Sequence, residues 1–229
     1  MKFSNMCVVS SLILLFSAPM ATAYASERGT AGFTAMDKKT TGKTATLQQS
    51  YVWHDGKRER QIWLDPALLA EFNARKPANQ SVVKAAHRNA VLLPTRQRNM
   101  RLWYLGEGVS ADGAARSLNA SAAGAKAIAS IESENFSPVL RDSASTAGHM
   151  RALPGNIIVY LNPVWDTVTV NAWADKNKLE IIKKLEIGPN IYVIKTAPGL
   201  DALNIANTLR QSGEVIAAMP NWWEAVTKR

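Results

Sequence analysis

The side chains able to do chemistry are few and far apart in this 229-residue chain. His54 falls in a hairpin-like run, His87 in a weakly helical one and His149 among turn residues, and none has the company of a hydrolase triad. No Gly-x-Ser-x-Gly turn is present to expose a nucleophile. His-x-His and His-Glu-x-x-His spacings are missing and the acids are scattered, so neighbours on one element do not make a metal set. No glycine-rich loop follows a strand to cradle a phosphate. Each histidine reads as a polar surface residue, and no catalytic residue, cofactor or metal is expected. The single cysteine, Cys7, lies inside an export signal. Its position removes disulfides, thiolate zinc sites, iron–sulfur clusters and cysteine nucleophiles from the mature protein.

What remains is chemistry of binding. Tyr160 and Tyr192 sit on two apolar strands, where an uncovered sheet face would expose them as a patch. Pro220, Asn221, Trp222 and Trp223 follow the last strand. Adjacent residues on an extended segment point to opposite sides. One tryptophan can therefore pack on the domain while the other meets a partner; alternatively both cap the core. Trp53, Trp63, Trp103, Trp165 and Trp173 read as core or strand-surface residues. Lys228 and Arg229 end the chain with two cations. The formal net charge of +9 favours acidic partners, whether nucleic acid, anionic lipid or an acidic protein.

These residues need elements to hold them. Lys2, the apolar stretch Met6 to Phe16 and the small residues Ala21 to Ala25 read as a signal peptide over 1–25, with the mature chain starting at Tyr24 or Ser26. The apolar stretch is too short to span a bilayer comfortably. A periplasmic or secreted bacterial protein without a membrane span is expected, monomeric when free. Residues 26–49, rich in Thr, Ala, Lys and Gly, read as a flexible leader. Tyr51 to Leu64 spells a β-hairpin about Asp55-Gly56, and Asp65-Pro66 is expected to stop it and start a helix over Ala67 to Asn73. Weak helix over Ser81 to Ala90, a strand over Arg101 to Leu105 and helix over Ala114 to Ile131 complete an N-terminal region, 50–135. Residues 136–152 read as a linker.

The stretch from 153 to 229 is more regular. It offers strand Asn156 to Leu161, helix to Asn177 with Asp166 as N-cap, strand Leu179 to Leu185, strand Ile191 to Ile194, helix Asp201 to Gln211 and strand Glu214 to Met219. The order β-α-β-β-α-β implies an α+β domain of ferredoxin-like type: an antiparallel four-stranded sheet with both helices on one face. Its expected core includes Ile157, Val159, Val168, Ala172, Ile181, Val193, Leu203, Leu209, Val215 and Ala217. RNA-recognition modules share this topology and stack bases on aromatics of the first and third strands, where Tyr160 and Tyr192 fall. Their Gly-aromatic signature is missing, and no nucleic acid is expected as partner.

The run Gly155 to Leu161, the strands Leu179 to Leu185 and Ile191 to Ile194, and the ending Glu214 to Asn221 resemble the propeptides of subtilisin-like serine proteases. Ala218, Pro220 and Asn221 match the "xVxxAxPN" ending that leads such a propeptide towards its protease. The resemblance covers roughly 153–223; more weakly, the Tyr51 to Leu64 hairpin and Phe136 to Asp142 look like longer, fervidolysin-like bacterial prodomains. It implies a chaperone and inhibitor whose open sheet face packs on the protease and whose tail runs antiparallel into the substrate cleft. Tyr160, Tyr192, Pro220, Asn221, Trp222, Trp223, Lys228 and Arg229 would then contact the partner, the final two suiting acidic, dibasic-specific pockets. In such precursors the protease domain follows; here the chain stops at Arg229. A free-standing protein acting in trans is therefore expected, or else the remnant of a truncated protease.

Overall fold

Gly56, with φ +57°, turns the first hairpin, which joins β1 (Ser50–Asp55) to β2 (Arg58–Phe72) and pairs Asp55 with Arg58. The computed structural model describes residues 45–56, 58–95, 100–126 and 134–225; the signal and most of the leader lie outside them, as do Lys228 and Arg229. β2 does not stop at Asp65-Pro66. It continues through the span where a helix was expected, because Ala67 to Phe72 finds partners on both sides: β4 (Met100–Tyr104) and β5 (Asn135–Arg141). The register slips between Asp65 and Leu69, opposite Val139 and Pro138. Pro66 and Pro138, which lack an N–H, fall at that irregularity, where the ladder is already broken.

β5 corrects the expected linker at 136–152. Phe136 to Arg141 is buried in mid-sheet, and Met150–Ala152 forms β6 beside it. Turn-forming residues there mark the return from β5 to β6. β3 (Val91–Leu93) and β11 (Trp223–Glu224) form the edges, giving the order β11-β6-β5-β2-β4-β3 with β1 also on β2. Between the strands lie a short α1 (Val82–Ala86), capped by Ser81, and α2 (Ala111–Lys126). Asn119 of α2 clasps β5: its side-chain amide donates to the Phe136 carbonyl at 2.8 Å, and its oxygen accepts the Phe136 N–H at 2.9 Å.

The second sheet comprises β7 (Asn156–Tyr160), β8 (Glu180–Lys184), β9 (Ile191–Lys195) and β10 (Ala217–Pro220), in the order β10-β7-β9-β8 and wholly antiparallel. α3 (Thr167–Lys176) and α4 (Leu200–Gln211) supply the crossovers. The protein is thus α+β with antiparallel sheets and a few helices. Asp166 caps α3 as expected, accepting the Thr169 N–H at 2.8 Å. The buried face of α3 is Val170, Trp173 and Ala174, not the Val168 and Ala172 face expected: Val168 is 75% exposed.

One cluster of buried residues joins both sheets. Ile157, Val159 and Ile194 of the second sheet pack with Leu203 and Ala206 of α4 and with Trp53, Ile62 and Leu140 of the first. A second cluster sets Leu69, Trp103 and Phe136 under α1 and α2. Two buried carboxylates are satisfied rather than free. Glu71 accepts from Trp103 Nε1 at 2.6 Å and Ser81 Oγ at 3.0 Å, while Asp65 accepts from Arg141 Nε and Nη2 at 3.0 and 2.9 Å. Such groups stay buried only with partners of this kind.

Candidate partner-binding surface

In an antiparallel pair, directly opposed residues share a face, so strand register decides what a sheet shows. β7 and β9 pair Val159 with Tyr192 and Tyr160 with Ile191. The two tyrosines therefore lie on opposite faces. Tyr192 shares the helix-covered face with Val159; it is buried, and its hydroxyl donates to Asn190 Oδ1 at 3.3 Å. This corrects the expectation that both tyrosines present themselves on one open face. Tyr160 does lie on the side away from the helices, half-buried, with Ile158 and Val193 opposite each other beside it and Met219 completing the row. Val193 is buried as expected, but on this side of the sheet rather than against the helices.

Aliphatic residues rim the face where these strands turn. The Ile216 N–H donates to the Tyr160 carbonyl and the Leu185 N–H to that of Ile191, both at 2.8 Å. Ile216 is 63% exposed, and Ile187, in the β8–β9 turn, 74%. Asn190 fixes the neighbouring turn, donating to the carbonyls of Asn162 and Trp165 at 2.8 Å each. Carboxylates at the two ends of α3 are engaged. Asp166 is held below the ordinary carboxylate range by hydrogen bonds from Thr169, and Glu214 by those from Lys176 and Asn177.

The end of the chain takes another course than expected. Pro220 is buried opposite Ile157, and Asn221 hydrogen-bonds Asn156 through its backbone at 3.2 Å and its amide at 2.5 Å. Trp222 packs edge-on against Trp53 with ring centres 5.2 Å apart, and the Arg151 guanidinium lies over both rings at 5.8 and 5.3 Å. Trp223 opens β11, pairs with Ala152 and meets Phe72 at 6.5 Å. The two tryptophans do point opposite ways, but the protein meets both. Glu224 then pairs with Arg151 at 2.9 Å and approaches His149 at 3.8 Å.

Of the two readings of the tryptophan pair, capping the core is the one seen; where the clasp would land was not legible. Its only signal was the tryptophan pair itself, because the short β6 that receives it carries no strand pattern of its own. His54 stands 3.4 Å from Asn207, and His87 caps α1. Among the described residues no group of three His, Cys, Asp or Glu could hold a metal ion, and no helix is long and apolar enough to cross a membrane. No protein-family model, no curated protein and no solved structure matches the chain.

Proposed function

We propose that this chain is an exported partner-binding protein that docks on a subtilisin-like serine protease as inhibitor, folding chaperone or both, using a ferredoxin-like βαββαβ unit. The observation that carries the reading is the half-buried apolar row Ile158, Tyr160 and Met219, on the side of the sheet away from its two helices. The propeptide-like ending Glu214 to Asn221 runs along the same sheet. Subtilases are parallel α/β proteins that fold slowly, and a binder of the native surface stabilises the folded state by mass action. A backbone laid into the substrate cleft as an added strand would inhibit by occupying it as a product does.

With Asn221 to Glu224 held against Asn156, Trp53 and β6, the sheet face supplies the anchoring in this reading. The reach into a cleft falls to residues beyond Glu224, including Lys228 and Arg229. Addition of the full chain to a subtilisin-type protease should cause slow, tight loss of peptidase activity. Tyr160→Asp should weaken it about tenfold or more, roughly 1.4 kcal/mol, without lowering the melting temperature. Neither inhibition nor improved refolding of any subtilase tested would overturn the proposal. A nucleic-acid role has less support, since Tyr160 and Tyr192 do not form one stacking platform.

A further inference from the structure

Between Glu71 and Glu107 the chain carries seven Lys or Arg and no acidic residue. That segment supplies one whole border of the seven-stranded sheet: α1, β3 and β4. Among the described residues β3 is an edge strand, so its alternate backbone N–H and C=O groups face outward with no strand beside them. Its side chains are unusually apolar for an edge, with Val91 53% and Leu92 44% exposed. On the face of Leu92 and Trp103 a groove of 300 Å³ opens between the strand and the 3-10 turn Ala78–Gln80, lined by Ala78, Ala90 and the stem of Lys84.

Lys76, Lys84, Arg88 and Arg101 lie about this edge, while Arg96 and Arg98 fall outside the described residues. The Lys84 ammonium donates to the carbonyls of Arg88 and Ala90 at 2.7 and 2.8 Å, and Arg101 reaches the carbonyl of Lys76. Among the described residues no carboxylate pairs with Lys76, Lys84 or Arg88. A basic rim deters a second copy of the same edge, because like charges would oppose one another. It attracts an acidic strand for the same reason.

The geometry points to β3 as a docking edge for an acidic, extended polypeptide, which adds a strand to the sheet and seats one apolar side chain in the groove beside Leu92. Free backbone groups favour a polypeptide over a phosphate polymer: they pair with another backbone, while alternate side chains set specificity. The surface is separate from the Tyr160 face, so the inference stands whether or not a subtilase is the other partner.

The test uses the full chain and a fluorescein-labelled peptide of alternating Glu and Val, read by anisotropy. Saturable binding is expected, weakening about tenfold as salt rises from low to physiological ionic strength. A Lys–Val peptide should bind at least about tenfold more weakly than the Glu–Val one. N-methylation of alternate peptide nitrogens should lower affinity by a similar factor, since it removes ladder donors without touching charge. Leu92→Glu, on an exposed side chain, and the pair Lys84→Glu with Arg88→Glu should each do the same while leaving Tyr160-dependent properties intact. N-methylated peptide binding as tightly as its parent would overturn the inference, as would indifference to both variants. Tighter binding of an oligothymidylate or of phosphatidylglycerol vesicles than of the Glu–Val peptide would overturn it too, and would assign the border to phosphate instead.

Discussion

Trp103 donates its indole N–H to Glu71 at 2.6 Å where the carboxylate is wholly covered, so the pair answers to the arithmetic of buried polar groups. Trp103→Phe keeps most of the ring volume but leaves the buried Oε2 of Glu71 without its donor, since Ser81 and Arg101 serve Oε1, and should cost about 1–3 kcal/mol in denaturant unfolding. The two tyrosines separate stability from recognition. Tyr192→Phe loses one hydrogen bond to Asn190 and should lower stability by about 1 kcal/mol while leaving protease inhibition unchanged. Tyr160→Asp should do the reverse. Acid sensitivity follows from Asp166 and Glu214, whose folded-state ionisations lie below the ordinary carboxylate range. Such groups stabilise fully above their unfolded-state pKa, and the contribution drains away as pH falls through the folded value. Asp166→Asn preserves a good cap without titrating, so its stability at neutral pH should hold while the acid limb of the melting-temperature profile flattens.

At the scale of elements, punctuation was legible and facing was not. Asp166 before Val168, Pro198-Gly199 before α4 and Gly213 after it mark boundaries through backbone constraints that any context respects. Ile191-Tyr192-Val193-Ile194 is buried throughout and does not alternate, so only its register with β7 shows that Tyr192 faces the helices. In α3 the rival faces Val168/Ala172 and Val170/Trp173/Ala174 are both apolar, and contact with the sheet chose the one carrying the tryptophan. Val168→Ser should therefore change stability by less than about 0.5 kcal/mol, whereas Val170→Ser, in a fully packed site, should cost about 2 kcal/mol or more. β5 was hidden for a different reason: Pro138 and Ser137 read as linker until partners on both sides supply the burial. Ser137 Oγ donates to the Pro138 carbonyl and accepts the Leu153 N–H at 2.8 and 3.0 Å, replacing what a regular ladder would have given.

For the whole molecule, the shared core outweighs the boundary that the sequence suggests at 153. Residues 42–229 form one compact unit, and Trp53, Ile62 and Leu140 lie in the same cluster as α4. Gly199, with φ +79°, lets the start of α4 approach Pro138 so closely that an added Cβ would stand 3.2 Å from its ring. A fragment beginning at 153 would expose the faces that these residues cover. It should unfold at markedly lower denaturant than the full chain, which should itself show one cooperative transition by both fluorescence and circular dichroism. Coincident midpoints for fragment and full chain would contradict this.

The clasp of Trp222 on Trp53, and of β11 on β6, also sets a schedule. Polypeptides emerge from the ribosome, or from an export channel, N-terminus first and at a finite rate. Here a side chain placed in the first hairpin waits for one delivered almost at the end, and the sheet receives its last strand only when Glu224 is out. The cluster that Trp53 shares with the second sheet therefore closes only after the C-terminal strands are made, whereas the cluster under α1 and α2 needs no residue beyond Phe136.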